Sequence, residues 1–229
     1  MDMKKIITCA ALLAGIVFFN GRLNAQVESD IVGYQTIEMK AGKWYMVGCP
    51  FVALSDETMT INDMMRGFAD GDELYVYDNA KGMYSAIRAW KDGAWRVGTA
   101  DNTIATDVVN PGDAVFVSKA VDSNIIFSGA VSVAETSQFG SEAGPNWSMV
   151  TFCYPEKTTI DAIKWVGVKD GDELYIYDNA KSQYTYIRAW KNGVWRVGTA
   201  DDTIATDTIE PGQGFFISTK SAGNGTLSK

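Results

Sequence analysis

The run Gly71–Lys81, GDELYVYDNAK, returns as GDELYIYDNAK at Gly171–Lys181, with one change in eleven residues. A match this close, a hundred positions on, restricts the chain to folds built from one unit used twice. Residues 71–120 and 171–220 align without a gap and agree at about two-thirds of positions. Agreement continues outward more weakly. GKWYMV (Gly42–Val47) answers GPNWSMV (Gly144–Val150), and TIND (Thr60–Asp63) answers TIDA (Thr159–Ala162). Two copies of a unit of about 100 residues are too few and too long for a solenoid, and suit a pair of small domains.

The unit reads as mostly β. LYVY (Leu74–Tyr77) has the two-residue alternation of a strand. DNAKG (Asp78–Gly82) is a turn cluster, and MYSAIRAW (Met83–Trp90) is the next strand. Asp92–Gly93 and Asn192–Gly193 are two-residue hairpin signals, because both turn positions need positive φ. This turn pairs Lys91 with Ala94, Trp90 with Trp95 and Arg88 with Val97. Tyr84, Arg88, Trp90, Trp95 and Val97 then share one face. PGDAVFVSK (Pro111–Lys119) and PGQGFFIST (Pro211–Thr219) each give a Pro-Gly turn and a strand. A short helix is expected over Thr60–Phe68, capped by Thr60, with its partner over Thr159–Val166. The expected fold class is mainly β: two tandem β-sandwich or partly open β-barrel modules, each with one short helix. The expected organisation is a signal peptide at 1–25, repeat 1 at 26–129 and repeat 2 at 130–229.

The leader reading rests on a basic start (Met1–Lys5), an apolar run (Ile6–Phe19) too short for a comfortable membrane span, and a small residue, Ala25, before polar QVESD. An uncleaved anchor is the other reading of this segment. Cleavage after Ala25 takes the chain from 20 basic and 28 acidic residues to 17 and 27, a net charge of −10. That balance argues against nucleic acid and anionic membrane surfaces as partners. No later segment is long and apolar enough to span a membrane. Export to the periplasm, cell surface or extracellular space would allow a disulfide between Cys49 and Cys153, which occupy similar places in the two halves. Two buried thiols are the plainer alternative.

The sequence holds no histidine, so Ser-His-Asp, Cys-His and zinc-histidine sites are excluded within it. Asp70, Asp72, Glu73, Asp101 and Asp107 raise the question of calcium, but no run has the alternating acids and distal Glu of a calcium loop. Turns entering strands, with Asp bonding its own backbone, are the plainer account of them. No metal and no cofactor is expected. Tyr84, Arg88, Trp90 and Trp95, with Tyr184, Tyr186, Arg188, Trp190 and Trp195, form the candidate ligand platform. Aromatic faces suit sugar rings, and Arg can bond their hydroxyls. The competing reading makes the Trp face the core, with Arg88 stacked on an indole.

The pattern W-x-M-V … GDELYxYD … Y-x-x-I-R-A-W … PGxGFF resembles poorly characterised secreted tandem β-modules of Gram-negative bacteria. The resemblance covers both repeats and little of 26–41. Repeat 1 departs from it, with PGDAVF where repeat 2 has PGQGFF. It implies a fold and carries over no active site. The functional expectation is therefore a non-catalytic exported structural or interaction protein, with carbohydrate binding as the alternative. Its partners would be other envelope or extracellular proteins, or glycans. Self-association is a further reading, in which the β-prone segment DIVGYQTIEM (Asp30–Met39) adds to an unpaired edge of repeat 2; the plainer alternative makes that segment the first strand of repeat 1.

Overall fold

The computed structural model describes residues 32–54, 58–131, 136–200 and 202–229. The expected signal peptide lies outside them. Residues from 32 onward form one compact unit.

Repeat 1 carries β1 (Val32–Met39), β2 (Trp44–Gly48), α1 (Ile61–Met64), β3 (Met65–Arg66), β4 (Glu73–Asp78), β5 (Met83–Tyr84), β6 (Arg88–Lys91), β7 (Ala94–Val97), β8 (Ala114–Ser118) and β9 (Ser123–Ala130). Repeat 2 carries β10 (Ser137–Ser141), β11 (Asn146–Thr151), β12 (Thr158–Thr159), β13 (Lys164–Val166), β14 (Glu173–Asp178), β15 (Gln183–Tyr184), β16 (Arg188–Lys191), β17 (Val194–Val197), β18 (Thr208–Ile209), β19 (Gly214–Thr219) and β20 (Gly223–Ser228). In each repeat a six-stranded antiparallel sheet faces a three-stranded one. The orders are β2-β8-β4-β6-β7 with β5 on β4, against β1-β9-β3, and β11-β19-β14-β16-β17 with β15 on β14, against β10-β20-β13. β12 and β18 form a small ribbon beside the second pair. The modules are thus β-sandwiches, and no sheet closes into a barrel.

Strand alternation explains both layers of packing. In β2, Tyr45 and Val47 point into the sandwich core with Leu74, Val115, Val117, Ile125 and Phe127. Met46 points the other way, to a third apolar cluster with Ala114, Met149, Tyr177 and Phe216. The six-stranded sheets therefore bury both faces, one inside their own module and one against the other module. This gives four layers, three-six-six-three, with a pseudo-two-fold seam in the middle.

The hairpin turns form as their sequences dictate, but the ladder ends at Ala89–Arg96, and Arg88 bridges Gly98 where a pair with Val97 was expected. Trp90 lies opposite Trp95 and Trp190 opposite Trp195, with Asp92–Gly93 at φ 49° and 77° and Asn192–Gly193 at 53° and 80°. Gly93→Val is expected to cost roughly 1–3 kcal/mol, since a β-branched residue resists positive φ. A urea-unfolding midpoint equal to that of wild type would show that the turn tolerates it.

Three expectations need correction. The helix of repeat 1 is a single turn, Ile61–Met64, where Asp63 accepts from the Thr60 N–H (3.1 Å) and hydroxyl (2.6 Å). In repeat 2 the segment is a non-helical turn. Ala162 stands where Asp63 would close the cap. The second concerns the cysteines, where of the two alternatives the plainer one holds. Cys49 and Cys153 are buried in separate cores and no disulfide joins them.

The third concerns the end of repeat 2. GNGTLS offers few strand signals, so an open edge was expected there. β20 instead pairs with β10 on one side and β13 on the other, as β9 does with β1 and β3. Its glycines answer a volume exchange. Repeat 1 sets Ile37 opposite Ile125, whereas repeat 2 sets Phe139 opposite Gly225, where an added Cβ would stand 2.2 Å from the Phe139 ring. β1 lies on its own repeat, as the plainer alternative had it, and both sides of β20 are paired within the chain.

Candidate functional site: the aromatic seam

The predicted platform residues fall in three places. Trp95 and Trp195 are fully buried, one in each core. Trp90 and Trp190 are half-buried and pack edge-on against them, with ring centroids 5.3 and 5.1 Å apart. Arg88 and Arg188 are buried too. Arg88 makes a bidentate pair with Asp107, at 2.6 and 2.7 Å, and Arg188 repeats it with Asp207 at 2.5 and 2.6 Å. Their remaining donors hold the chain behind them, Arg88 Nη1 to the Ala86 carbonyl at 2.5 Å and Arg188 Nη1 to the Tyr186 carbonyl at 2.8 Å.

Those carbonyls belong to a bulge, and the bulge decides where the tyrosines go. Tyr84 pairs with Tyr77, but Arg88 pairs with Leu74. Between those two registers the second strand carries one residue too many. Ala86, and Tyr186 in repeat 2, is the extra residue. An added residue flips side-chain parity. Tyr84 and Tyr184 therefore leave the face of Arg88 and Trp90 and point into the seam. Tyr186, on the bulge itself, is 83% exposed.

The seam is built from the repeated motif. Asn79, in the DNAK turn, accepts from the Met149 N–H (2.7 Å) and donates to the Met149 carbonyl (3.2 Å). Asn179 does the same to Met46, at 2.8 and 3.1 Å. The Gly48 N–H donates to the Gly212 carbonyl at 3.0 Å, and the Thr151 N–H to the Gly112 carbonyl at 2.8 Å. Tyr77 meets Phe216 edge-on and Phe116 meets Tyr177 likewise, both at 5.0 Å. These contacts are reciprocal, the pattern of a two-fold interface written within one chain. The PGDAVF departure has its cause here. A Cβ added at Gly214 would stand 3.0 Å from the Ala114 Cβ and 2.5 Å from Met46 Cγ. The two positions face each other, and the seam has room for one alanine.

No family model, curated protein or solved structure matches this chain.

One end of the seam stays open. A cleft of about 410 Å³ is lined by Trp44, Tyr75, Tyr84 and Phe116 from repeat 1 and Tyr177 and Tyr184 from repeat 2. Trp44 lies 5.2 Å from Tyr75 and 6.3 Å from Phe116. Tyr84 and Tyr184 meet near the axis. Burial, with Tyr184 alongside, holds the Tyr84 phenol well above the ordinary range, and burial pushes Tyr184 up to about 12. Both stay neutral hydroxyls across the biological pH range. Sequence reasoning placed Tyr84 and Tyr184 among the candidates and missed Trp44, Tyr75, Phe116 and Tyr177. Their signal was the second parity of W-x-M and L-Y-x-Y, which serves a sheet buried on both faces.

The acidic turns have structural partners. Asp72 is buried, accepting from Ala69 N–H, Ala120 N–H and the Lys119 ammonium. Asp107 holds Arg88, and Asp101 accepts from the Thr103 N–H at 2.7 Å. Among the described residues, no group of three or more acidic or thiol side chains is placed to hold a metal.

Proposed function

We propose that this chain is a non-catalytic exported binding protein of the cell envelope or extracellular space, whose two β-modules are joined into one body around the aromatic cleft. The observation that carries the reading is the use made of the repeated motif. Asn79 and Asn179, Gly112 and Gly212, and the paired tyrosines of β4 and β14 join the modules, and Arg88 and Arg188 fix the bulges. The duplicated polar residues thus have architectural partners, and the aromatic cleft between the modules is what faces solvent. The leader-like start and the resemblance to secreted β-modules support export.

A carbohydrate ligand is the second reading. The half-buried rings of Trp44 and Tyr75, with the exposed Tyr84 and Tyr184 beside them in one cleft, favour it over the hairpin platform. The test is expression of the full chain in a Gram-negative host, fractionation, and intact-mass measurement. The expected product is exported and lacks residues 1–25. Full-length protein held in the cytoplasm would refute export. Turnover of any of a panel of chromogenic glycosides, esters or phosphates would refute the non-catalytic reading.

A further inference from the structure

We propose that the aromatic cleft binds an organic cation, an alkylated ammonium group, with Glu73 as its counter-charge. The inference rests on the reading of the chain as a binding protein and names the ligand class for its cleft.

The lining consists of six rings, whose faces carry negative electrostatic potential. Such faces attract ammonium groups, and methylated ones most usefully, because they shed water readily. None of the six residues brings a positive charge. Lys43, next to Trp44 in sequence, directs its ammonium to the Ala180 carbonyl at 3.1 Å. A cleft of about 410 Å³ is within the range of small-ligand sites. The chain as a whole has a net charge of −8, which draws cations toward it.

The difference between the repeats supplies the specific charge. In register, Trp44, Ser118 and Glu73 form one cross-strand row. Glu73 is two residues before Tyr75 on the same strand, hence on the same face, and flanks the Trp44–Tyr75 ring pair. Small Ser118 lets the indole lean across toward Tyr75. Repeat 2 has the same row, Trp147, Ser218 and Glu173. There the carboxylate is neutralised. Glu173 takes the Lys220 ammonium and the Tyr175 hydroxyl, both at 2.8 Å. Lys220 and neighbouring hydroxyl together hold its carboxyl below the usual range against the opposing effect of burial. In repeat 1 the position of Lys220 is occupied by Ala120, and Lys119 beside it is turned inward onto Asp72. Among the described residues Glu73 has no side-chain hydrogen bond or ion pair. Four of the six rings of the cleft therefore come from the repeat whose carboxylate is uncompensated.

The experiment titrates the full chain with choline and with its neutral carbon isostere, 3,3-dimethylbutan-1-ol, following tryptophan fluorescence and calorimetry. Choline is expected to saturate one site, and the isostere to bind about tenfold more weakly, as a desolvated cation–π contact implies. Glu73→Gln should weaken choline roughly fivefold and leave the isostere unchanged, the scale of one nearby counter-charge. Ala120→Lys should do the same by recreating the repeat 2 ion pair. Ala120 is exposed, so this variant keeps the fold, which an unchanged melting curve verifies. Glu173→Gln should have no effect on choline. Equal affinity for choline and the isostere would overturn the proposal, and so would the absence of saturable choline binding. A methyl pyranoside that occupies the cleft and excludes choline would overturn the cation assignment while leaving the binding function standing. Export failure is read separately, by mass.

Discussion

Asp72→Ala is expected to lower the stability of repeat 1 by about 3–5 kcal/mol, the cost of stranding a buried charge. Lys119 is buried along its whole side chain. Its ammonium is met by the Asp72 carboxylate, by the Gly67 carbonyl at 2.8 Å and by the Phe68 ring at 4.7 Å. Alanine at 72 would leave a cation with one carbonyl and one ring face. Two N–H groups, of Ala69 and Ala120, would lose their acceptor as well. Repeat 2 provides the internal control. Asp172 is buried in the same place and accepts from the Lys169 and Lys220 N–H groups, both at 2.8 Å, but Thr219 stands where Lys119 does. Asp172→Ala therefore loses two main-chain partners without stranding a cation, for about 1–3 kcal/mol. Lys119→Thr copies an arrangement the chain already uses, and should be the mildest of the three. Urea unfolding followed by circular dichroism ranks them. Equal losses for Asp72→Ala and Asp172→Ala would show that Lys119 does not depend on Asp72.

The same comparison shows what a sequence discloses and what it withholds. The hairpin registers were legible because Asp-Gly and Asn-Gly demand one turn geometry, and that geometry fixes the three pairs next to each turn. Duplication was legible by inspection. The bulge was not. SAIRAW and TYIRAW contain no glycine or proline to mark an interruption. What stabilises the extra residue is Arg88 or Arg188, bonded at once to a bulge carbonyl and to an aspartate nineteen residues away. A one-residue error in that strand moves Tyr84 from one face to the other, so the expected platform mixed residues of two faces. β20 was hidden for the opposite reason. Its glycines lower strand propensity, yet they fit Phe139 across the ladder. In both cases a distant contact outweighed local preference, and the functional surface followed from those contacts.

The seam can be tested at its two asparagines. Asn79→Ala removes partners from both main-chain groups of Met149, and Asn179→Ala from both of Met46, whose residues are fully buried. Leaving a buried donor and acceptor unpaired costs roughly 1–3 kcal/mol each, so each variant should lose about 2–6 kcal/mol. Pseudo-symmetry requires the two losses to be similar. The location of the damage is the sharper prediction. Each sandwich keeps its own core around Leu74 or Leu174, so hydrogen exchange there should remain slow in both variants. Exchange at the Met46 and Met149 amides should accelerate by one to two orders of magnitude, as expected when roughly 1–3 kcal/mol of local protection is lost. Unchanged protection at those two amides would mean that ring packing alone holds the modules together. Neither asparagine lines the aromatic cleft, but the cleft draws its rings from both modules. Loosening the seam through Asn179 should therefore weaken choline binding without touching a ring or Glu73. A variant with an opened seam and undiminished binding would place the ligand on one module alone.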